Sequence, residues 1–262
     1  ETVLIVPSTN YAVDAVLTKG KGYEHWVGSL GVAEAARILS EAGDRGTRVH
    51  AAINYVIQHS KLDFEEDYPF LEGRPFTARE FDLIHHFGAW WKTFRPIASQ
   101  LEFPFVNETD GYGGTVDFYG AIDKGLLLSY NARKKGNGLE KSGAATSIVI
   151  DWKSGKDIRE SDKLQLAAYM NECKPEYGAI VRIGADNKNG YEMFVMQREG
   201  GRIFGIGVTA RETVQKLNVG GIDTICWLGT DRRVYRTDPN PVRISDNALE
   251  EVLQDIEVST AA

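Results

Sequence analysis

The segment IVIDWKSGKDIRESDKLQLAAYM, at residues 148–170, runs from an apolar strand pattern into a polar helix pattern. Asp151 and Lys153 end the strand, and residues two apart in a strand share a face, so this acid and this base lie together. Gln165 and Tyr169 are four residues apart, which places them on one face of the helix. The segment therefore predicts a strand and a helix that meet around a polar site.

The remainder of the chain continues the alternation of strands and helices. Period-two patterns predict strands at 101–106, 114–122, 146–152, 178–183 and 191–196. Amphipathic patterns predict helices at 31–43, 46–60, 77–94, 161–173, 208–217 and 246–257. This order predicts an α/β fold in which helices pack on a central sheet.

Capping residues set the expected limits of three helices. Gly43 is expected to stop the first helix, and Thr77 with Glu80 forms a capping box at the start of another. Ser161 or Asp162 is expected to cap the helix that carries the polar pair. The core-facing residues expected in the helix at 77–94 are Phe81, Ile84, Trp91 and Phe94.

Composition restricts the possible classes of protein. The 262 residues are 42% hydrophobic, and no apolar run approaches the ~20 residues of a membrane helix. No signal peptide is visible. We expect a single domain with a mainly helical part at 1–100, a sheet core at 101–200 and a C-terminal extension at 201–262.

The two cysteines, Cys173 and Cys226, are far apart in the chain, which argues against a disulfide framework or a four-cysteine metal site. A reducing compartment such as the cytoplasm is therefore expected. The net charge of −7 argues against loose, nonspecific binding to nucleic acid. It leaves room for a local basic groove, because NARKKGNGLEK (131–141) and DRRVYR (231–236) are basic clusters. The ordinary interpretation of each cluster is a solvated loop.

Acidic residues inside apolar strands are the candidates for a metal site. Asp117 and Asp151 would repel each other by roughly 4 kcal/mol if neighbouring strands held them about 4 Å apart. A divalent cation would offset this repulsion, and Mg²⁺ prefers carboxylate oxygens. Glu102 could add an oxygen and His50 a nitrogen, which makes Mn²⁺ as suitable as Mg²⁺. The ordinary alternatives are that Asp151 and Lys153 form a simple ion pair and that His50 is a helix histidine that binds no metal.

Four segments in one order resemble a known family. They are RGTRVH (45–50), GGTVD (113–117), IDWKSGK (150–156) and QLAAY (165–169). Together they resemble the ordered motifs of RecB-like nucleases in the PD-(D/E)XK superfamily. The sequence around residues 149–170 is similar to the sequences of one branch of this family, which includes the mitochondrial genome-maintenance exonucleases and their phage and bacterial relatives. The resemblance covers about residues 45–170. It implies a cytoplasmic protein encoded by a bacterium or a phage, with mitochondria as the alternative.

The resemblance implies a fold and a role for each matching position. The fold would be a restriction-endonuclease-like core, a central mixed β-sheet flanked by helices with an N-terminal helical section. His50, Asp117, Asp151 and the backbone carbonyl of Trp152 would bind Mg²⁺ or Mn²⁺, and Glu102 matches an acidic residue that some members carry on the first core strand. Lys153 would orient or activate the attacking water. Gln165 would contact a backbone phosphate or the lysine, and Tyr169 would orient that network.

A second Gly-x-x-Asp sequence competes for the role of Asp117. GAID (120–123) also fits the pattern, so Asp123 is the alternative. Asp117 is preferred because it follows a glycine-rich turn and lies deeper in the strand. The interval to Asp151 is longer than the family leads us to expect, and it contains NARKKGNGLEK, a candidate for an inserted basic hairpin.

The function expected from the resemblance is a metal-dependent DNA exonuclease, end-dependent and favouring single strands, that leaves 5′-phosphate and 3′-hydroxyl ends. An endonuclease or the nuclease subunit of a recombination complex is the close alternative. A non-catalytic nucleic-acid-binding module on a nuclease fold is a second class, and a metabolic α/β enzyme is a third. The third class would need a cofactor motif, and the chain has no GxGxxG, P-loop or HExxH sequence. GGRIFGIG (200–207) lacks the P-loop Lys-Ser/Thr and predicts a strand with turns.

Overall fold

A six-stranded mixed sheet forms the centre of the protein, in a computed structural model that describes residues 8–10, 21–107, 112–132, 139–199 and 202–206. The strands lie in the sheet in their order along the chain. They are β1 (Ile97–Asn107), β2 (Tyr112–Asp123), β3 (Ala145–Lys153), β4 (Tyr177–Ile183), β5 (Tyr191–Glu199) and β6 (Arg202–Ile206). All neighbours are antiparallel except β3 and β4, which are parallel. This arrangement confirms the predicted α/β class.

Helices precede the sheet and connect its strands. They are α1 (Lys21–Leu30), α2 (Val32–His59), α3 (Ala78–Phe94), α4 (Lys124–Ala132) and α5 (Glu160–Cys173), with a 3₁₀ turn at Pro69–Leu71. Because parallel strands need a crossover, α5 carries the chain from the end of β3 back to the start of β4. None of the helices in the described residues is long and apolar enough to cross a membrane.

The sheet is covered on both faces. On one side, α2 and α3 pack on strands β2 to β5 around a cluster that includes Trp90 and Trp152, whose ring centroids are 5.1 Å apart. On the other side, α5 packs through Leu164, Leu166 and Met170. A Cβ on Gly178 of β4 would lie 2.8 Å from Met170 Cγ, so the glycine allows α5 to approach the sheet this closely. The two layers fix α2 and α5 relative to the end of β3.

The predicted break between the first two helices is wrong, because α2 is one helix of 28 residues. Gly43 and Gly46 lie inside it, and neither has the positive φ that a glycine stop requires. Each interior glycine costs the helix about 1 kcal/mol relative to alanine. Burial of Ala35, Val49, Ala52 and Ile53 along one side of α2 outweighs that cost.

The capping box predicted for α3 is confirmed: the Thr77 hydroxyl accepts the Glu80 N–H, and the Glu80 carboxylate accepts the Thr77 N–H. The predicted core face is wrong in part. Ile84 and Phe94 are buried, but Phe81 is 43% exposed. The fully buried positions are Leu83, Phe87 and Trp90, a stripe from which Phe81 is displaced. Phe81 instead contacts Phe64 of the preceding loop, at a centroid distance of 4.4 Å.

The cap of α5 differs from the prediction by a few residues. Arg159 is the N-cap, and Asp162 lies in the first turn, where its carboxylate accepts the Arg159 N–H at 2.8 Å. The sequence did not predict α4, in which the first residues of NARKKGNGLEK take part. Residues 133–138 of the candidate basic hairpin and the helices expected at 208–217 and 246–257 lie outside the described residues.

Candidate metal centre

Three acidic residues lie level with one another on adjacent strands. Leu101 pairs with Phe118 and Phe103 with Val116, which puts Glu102 of β1 opposite Asp117 of β2. Phe118 also pairs with Ile150, so the next residue of β3, Asp151, is level with Asp117. The register of the sheet therefore gathers the acids that the sequence singled out on three separate segments.

A histidine from α2 completes this group. His50 Nδ1 lies 3.4 Å from Asp117 Oδ2. His50, Glu102 and Asp117 each offer one ligand atom, and these atoms lie within 4.8 Å of one another. One nitrogen and two carboxylate oxygens suit Mn²⁺ or Mg²⁺. These residues are brought together as the sequence predicted, and their use as ligands stays a prediction.

Asp151 and Trp152 lie beside this group and contact Lys153 and Asp117, respectively. Asp151 is buried, and its carboxylate oxygens lie 2.7 Å and 3.0 Å from Lys153 Nζ. The Trp152 N–H donates to Asp117 Oδ2 at 2.8 Å, which anchors the Asp117 side chain to β3. The predicted roles of Asp151 and of the Trp152 carbonyl as ligands stay predictions.

A chain of hydrogen bonds runs from the sheet into α5. Lys153 Nζ donates to Gln165 Oε1 at 2.9 Å, and Gln165 Nε2 donates to the Tyr169 hydroxyl at 2.6 Å. Gln165 and Tyr169 are both buried. Of the two contacts expected for Gln165, the structure therefore contains the one with the lysine. The chain holds the ammonium group of Lys153 between Asp151 and α5.

Burial and neighbouring charge separate the pKa values of the two aspartates. Burial raises the pKa of Asp151 to about 7, with the charge of Asp117 adding to it and Lys153 opposing it. Burial also acts to raise the pKa of Asp117, but the charge and hydrogen bond of His50, with Lys153 and the Trp152 N–H, outweigh it and hold this pKa below its usual range. The cluster therefore carries one ionised carboxylate beside a second that resists ionisation.

The pKa values of the two cationic groups, His50 and Lys153, rise although burial alone would lower them. Burial would lower the pKa of His50, but Asp117 and then Asp151 outweigh it and raise this pKa. For Lys153, burial is likewise outweighed by Asp151 and Asp117, so the pKa rises and the ammonium stays charged. Partial desolvation of the Glu102 carboxylate raises its pKa, and the charge of Asp117 adds to this. A bound cation would take the place of the protons that this concentration of carboxylates attracts.

One residue of this neighbourhood was missed in the sequence. Asn54 lies on α2 four residues after His50, and its amide Nδ2 donates to Glu102 Oε1 at 2.8 Å. The available signal was the spacing, because residues four apart share one face of a helix. A lone asparagine in a helix carries no other mark of function.

Asp123 has a structural role at the junction of β2 and α4. Its carboxylate accepts the backbone N–H groups of Ser142, Leu126 and Gly143 at 3.0, 3.0 and 2.7 Å. These bonds, with that from Ser142 first, lower the pKa of Asp123 to about 2. Asp123 thus anchors the chain that leads into β3, whereas Asp117 faces His50.

Substitutions should distinguish the structural role of Asp123 from the metal-binding role predicted for Asp117. Asp123→Ala is expected to lower the free energy of unfolding by about 1–2 kcal/mol, because three N–H groups lose a charged acceptor. It is expected to leave Mn²⁺ affinity unchanged, whereas Asp117→Asn, which alters a candidate ligand, is expected to lower that affinity by at least about tenfold and to leave the fold intact. Urea unfolding and calorimetric Mn²⁺ titration measure the two properties. Loss of Mn²⁺ binding in Asp123→Ala alone would reverse the assignment.

Comparison with known proteins adds little to this geometry. No family model matches the chain, and no curated protein matches it. A solved structure described as the crystal structure of SSO0001 is similar over 76% of this chain and 75% of that chain, with 15% sequence identity and a TM-score of 0.28. A TM-score this low carries no argument about fold or function.

Proposed function

We propose that the protein is a metal-dependent DNA nuclease with the PD-(D/E)XK core of the RecB-like family. The observation that carries the proposal is the position of Lys153, which bridges Asp151 and Gln165 beside the His50, Glu102 and Asp117 group. A charged lysine next to a group suited to a divalent cation is the arrangement that phosphodiester hydrolysis needs. The residues fit Mg²⁺ or Mn²⁺ because the donor set combines carboxylate oxygens with one imidazole nitrogen.

The chain's own residues would supply positioning and electrostatic stabilisation. A bound divalent cation neutralises phosphate charge and lowers the pKa of water. Lys153 presents a positive charge where negative charge would develop on the phosphoryl oxygens. The Asp151 carboxylate holds that ammonium group in place. Gln165 fixes the ammonium from α5, and the Tyr169 hydroxyl fixes the amide of Gln165. Because these partners are in place before substrate binds, little reorganisation accompanies the reaction.

The proposed substrate is DNA with a free end, single strands being preferred. Glu102, on the edge strand of the described sheet, is the solvent-exposed member of the cluster, whereas Asp117 is buried, so the cluster is open to solvent on the side of Glu102. End-labelled single- and double-stranded oligonucleotides should be shortened stepwise in Mn²⁺ or Mg²⁺. Circular single-stranded DNA should survive. Cleavage of the circle would identify an endonuclease, and metal binding without any cleavage would identify a binding module.

Asp151 also makes stability depend on pH. Its pKa is about 7 in the folded protein against an ordinary value of 3.8, so the folded state binds the proton more tightly than the unfolded chain. The contribution of Asp151 to stability is therefore present at low pH and is lost as pH rises from about 4 to about 7. The groups that set this balance are Lys153, Asp117 and His50.

In EDTA at pH 8, Asp151→Asn is expected to exceed the wild type in stability by at least about 1 kcal/mol, or about 2–4 °C in Tm for a domain of this size. At pH 4.5 the difference should largely disappear. Thermal unfolding across this pH range measures the effect, and Asp186→Asn, on an exposed turn, serves as the control. A wild type that gains stability relative to Asp151→Asn as pH rises would contradict the prediction.

A further inference from the structure

Asn54 connects α2 to the outermost strand at the metal centre. Its Nδ2 donates to Glu102 Oε1 at 2.8 Å, and it lies one helical turn after His50. Within the described part of the chain, no other side chain hydrogen-bonds to Glu102. The position of the Glu102 carboxylate beside His50 and Asp117 therefore depends on this one amide.

The backbone at Glu102 supports the same conclusion. Glu102 has a φ of +45°, in the left-handed region that residues with a side chain rarely adopt. Such a conformation costs free energy and persists where surrounding contacts hold it. It lies in the middle of β1, between residues that pair regularly with β2, so no turn requires it. The strained residue is the one whose side chain reaches the candidate centre.

The oxygen of the Asn54 amide has no hydrogen-bond partner among the described residues. A carboxylate only accepts hydrogen bonds, so Nδ2 must face Glu102, and Oδ1 then points away from it. Asn54 Oδ1 is buried and accepts no hydrogen bond from the described residues. A buried acceptor without a donor is unfavourable. A bound water molecule would supply the missing donor.

We propose that Asn54 is a positioning residue of the centre, which holds the Glu102 carboxylate toward a divalent cation through the hydrogen bond from Nδ2. The inference rests on the proposed function, because it requires the centre to bind a cation. It adds to that function a residue that supports a ligand. Partners of this kind typically change metal affinity by 10- to 100-fold when they are removed.

Calorimetric titration with Mn²⁺ alone, without nucleic acid, tests the proposal. Asn54→Ala is expected to lower Mn²⁺ affinity about tenfold. The control is Gln58→Ala, one turn further along the same helix and exposed, which should leave the affinity unchanged. Circular dichroism at the titration temperature establishes that each variant is folded.

A double-mutant cycle tests whether Asn54 acts through Glu102. In a Glu102→Ala background, Asn54→Ala should lower Mn²⁺ affinity by no more than about threefold, because the side chain through which Asn54 acts is already absent. An equal tenfold loss in both backgrounds would overturn the proposal, as would an unchanged affinity in Asn54→Ala alone. In the latter case Mn²⁺ binding by the wild type would leave the proposed function standing. A wild type that binds no Mn²⁺ would overturn both.

Discussion

Replacing Lys153 with alanine is expected to lower the rate of the proposed phosphodiester hydrolysis by at least ~100-fold, the range for losing one key electrostatic group. Asp151→Asn is expected to have an effect of the same size. The Lys153 ammonium lies 2.7 Å from Asp151 and 2.9 Å from Gln165, so its charge is fixed at one point beside the acidic cluster. Single-turnover rates on an end-labelled oligonucleotide in saturating Mn²⁺ measure the loss.

The matched control for this prediction is a lysine outside the cluster. Lys92 is exposed on α3, and Lys92→Ala should cut DNA at the wild-type rate. Comparison of the two variants separates a local electrostatic effect from a general loss of positive charge. If Lys153→Ala binds Mn²⁺ and retains near-wild-type turnover, the assignment of the site is wrong.

Arg48→Met is expected to lower the free energy of unfolding by about 3–5 kcal/mol, because it leaves a buried carboxylate without its cation. Arg48 Nη2 lies 2.9 Å from Glu80 Oε2, and the two side chains are 8% and 3% exposed. The same nitrogen donates to the Pro75 carbonyl at 2.9 Å. The pair therefore ties α2 to the first turn of α3. Urea unfolding monitored by tryptophan fluorescence measures the loss.

An exposed arginine on the same helix provides the comparison. Arg37 pairs with Glu34 at 2.6 Å, but both side chains are about half exposed, and Arg37→Met should produce no measurable change in unfolding. Adding Glu80→Gln to Arg48→Met should recover part of the lost stability, since it removes the unpaired charge while the amide can still bond to Thr77. Equal effects at Arg37 and Arg48 would refute the role given to burial.

The strands could be predicted from the sequence because their signal is local. Ile148, Ile150 and Trp152 alternate with residues of the other face, and all three are buried. The limits of the helices were less predictable, since they depend on distant partners. Gly43 and Gly46 look like stops in the chain, yet packing of Val49 and Ile53 against the sheet carries α2 through them.

The candidate site shows the same division. The order of His50, Asp151 and Lys153 was visible in the sequence, but two aspartates fitted one motif. Partners from distant segments distinguish them: the N–H of Trp152 binds Asp117, while the N–H groups of Ser142 and Gly143 bind Asp123. The spacing from His50 places Asn54 on the same helix face, but its partner, Glu102, could not be predicted because Glu102 has an unusual backbone conformation in β1.

The parallel pairing of β3 and β4 has a consequence for synthesis on the ribosome. Asp151 and Lys153 leave the ribosome before α5 does, and α5 must cross the sheet before β4 can add to it. A nascent chain that ends before residue 165 has the acids of β1 to β3 but lacks the groups that hold Lys153 in place. We therefore expect the centre to assemble only after α5 has left the exit tunnel.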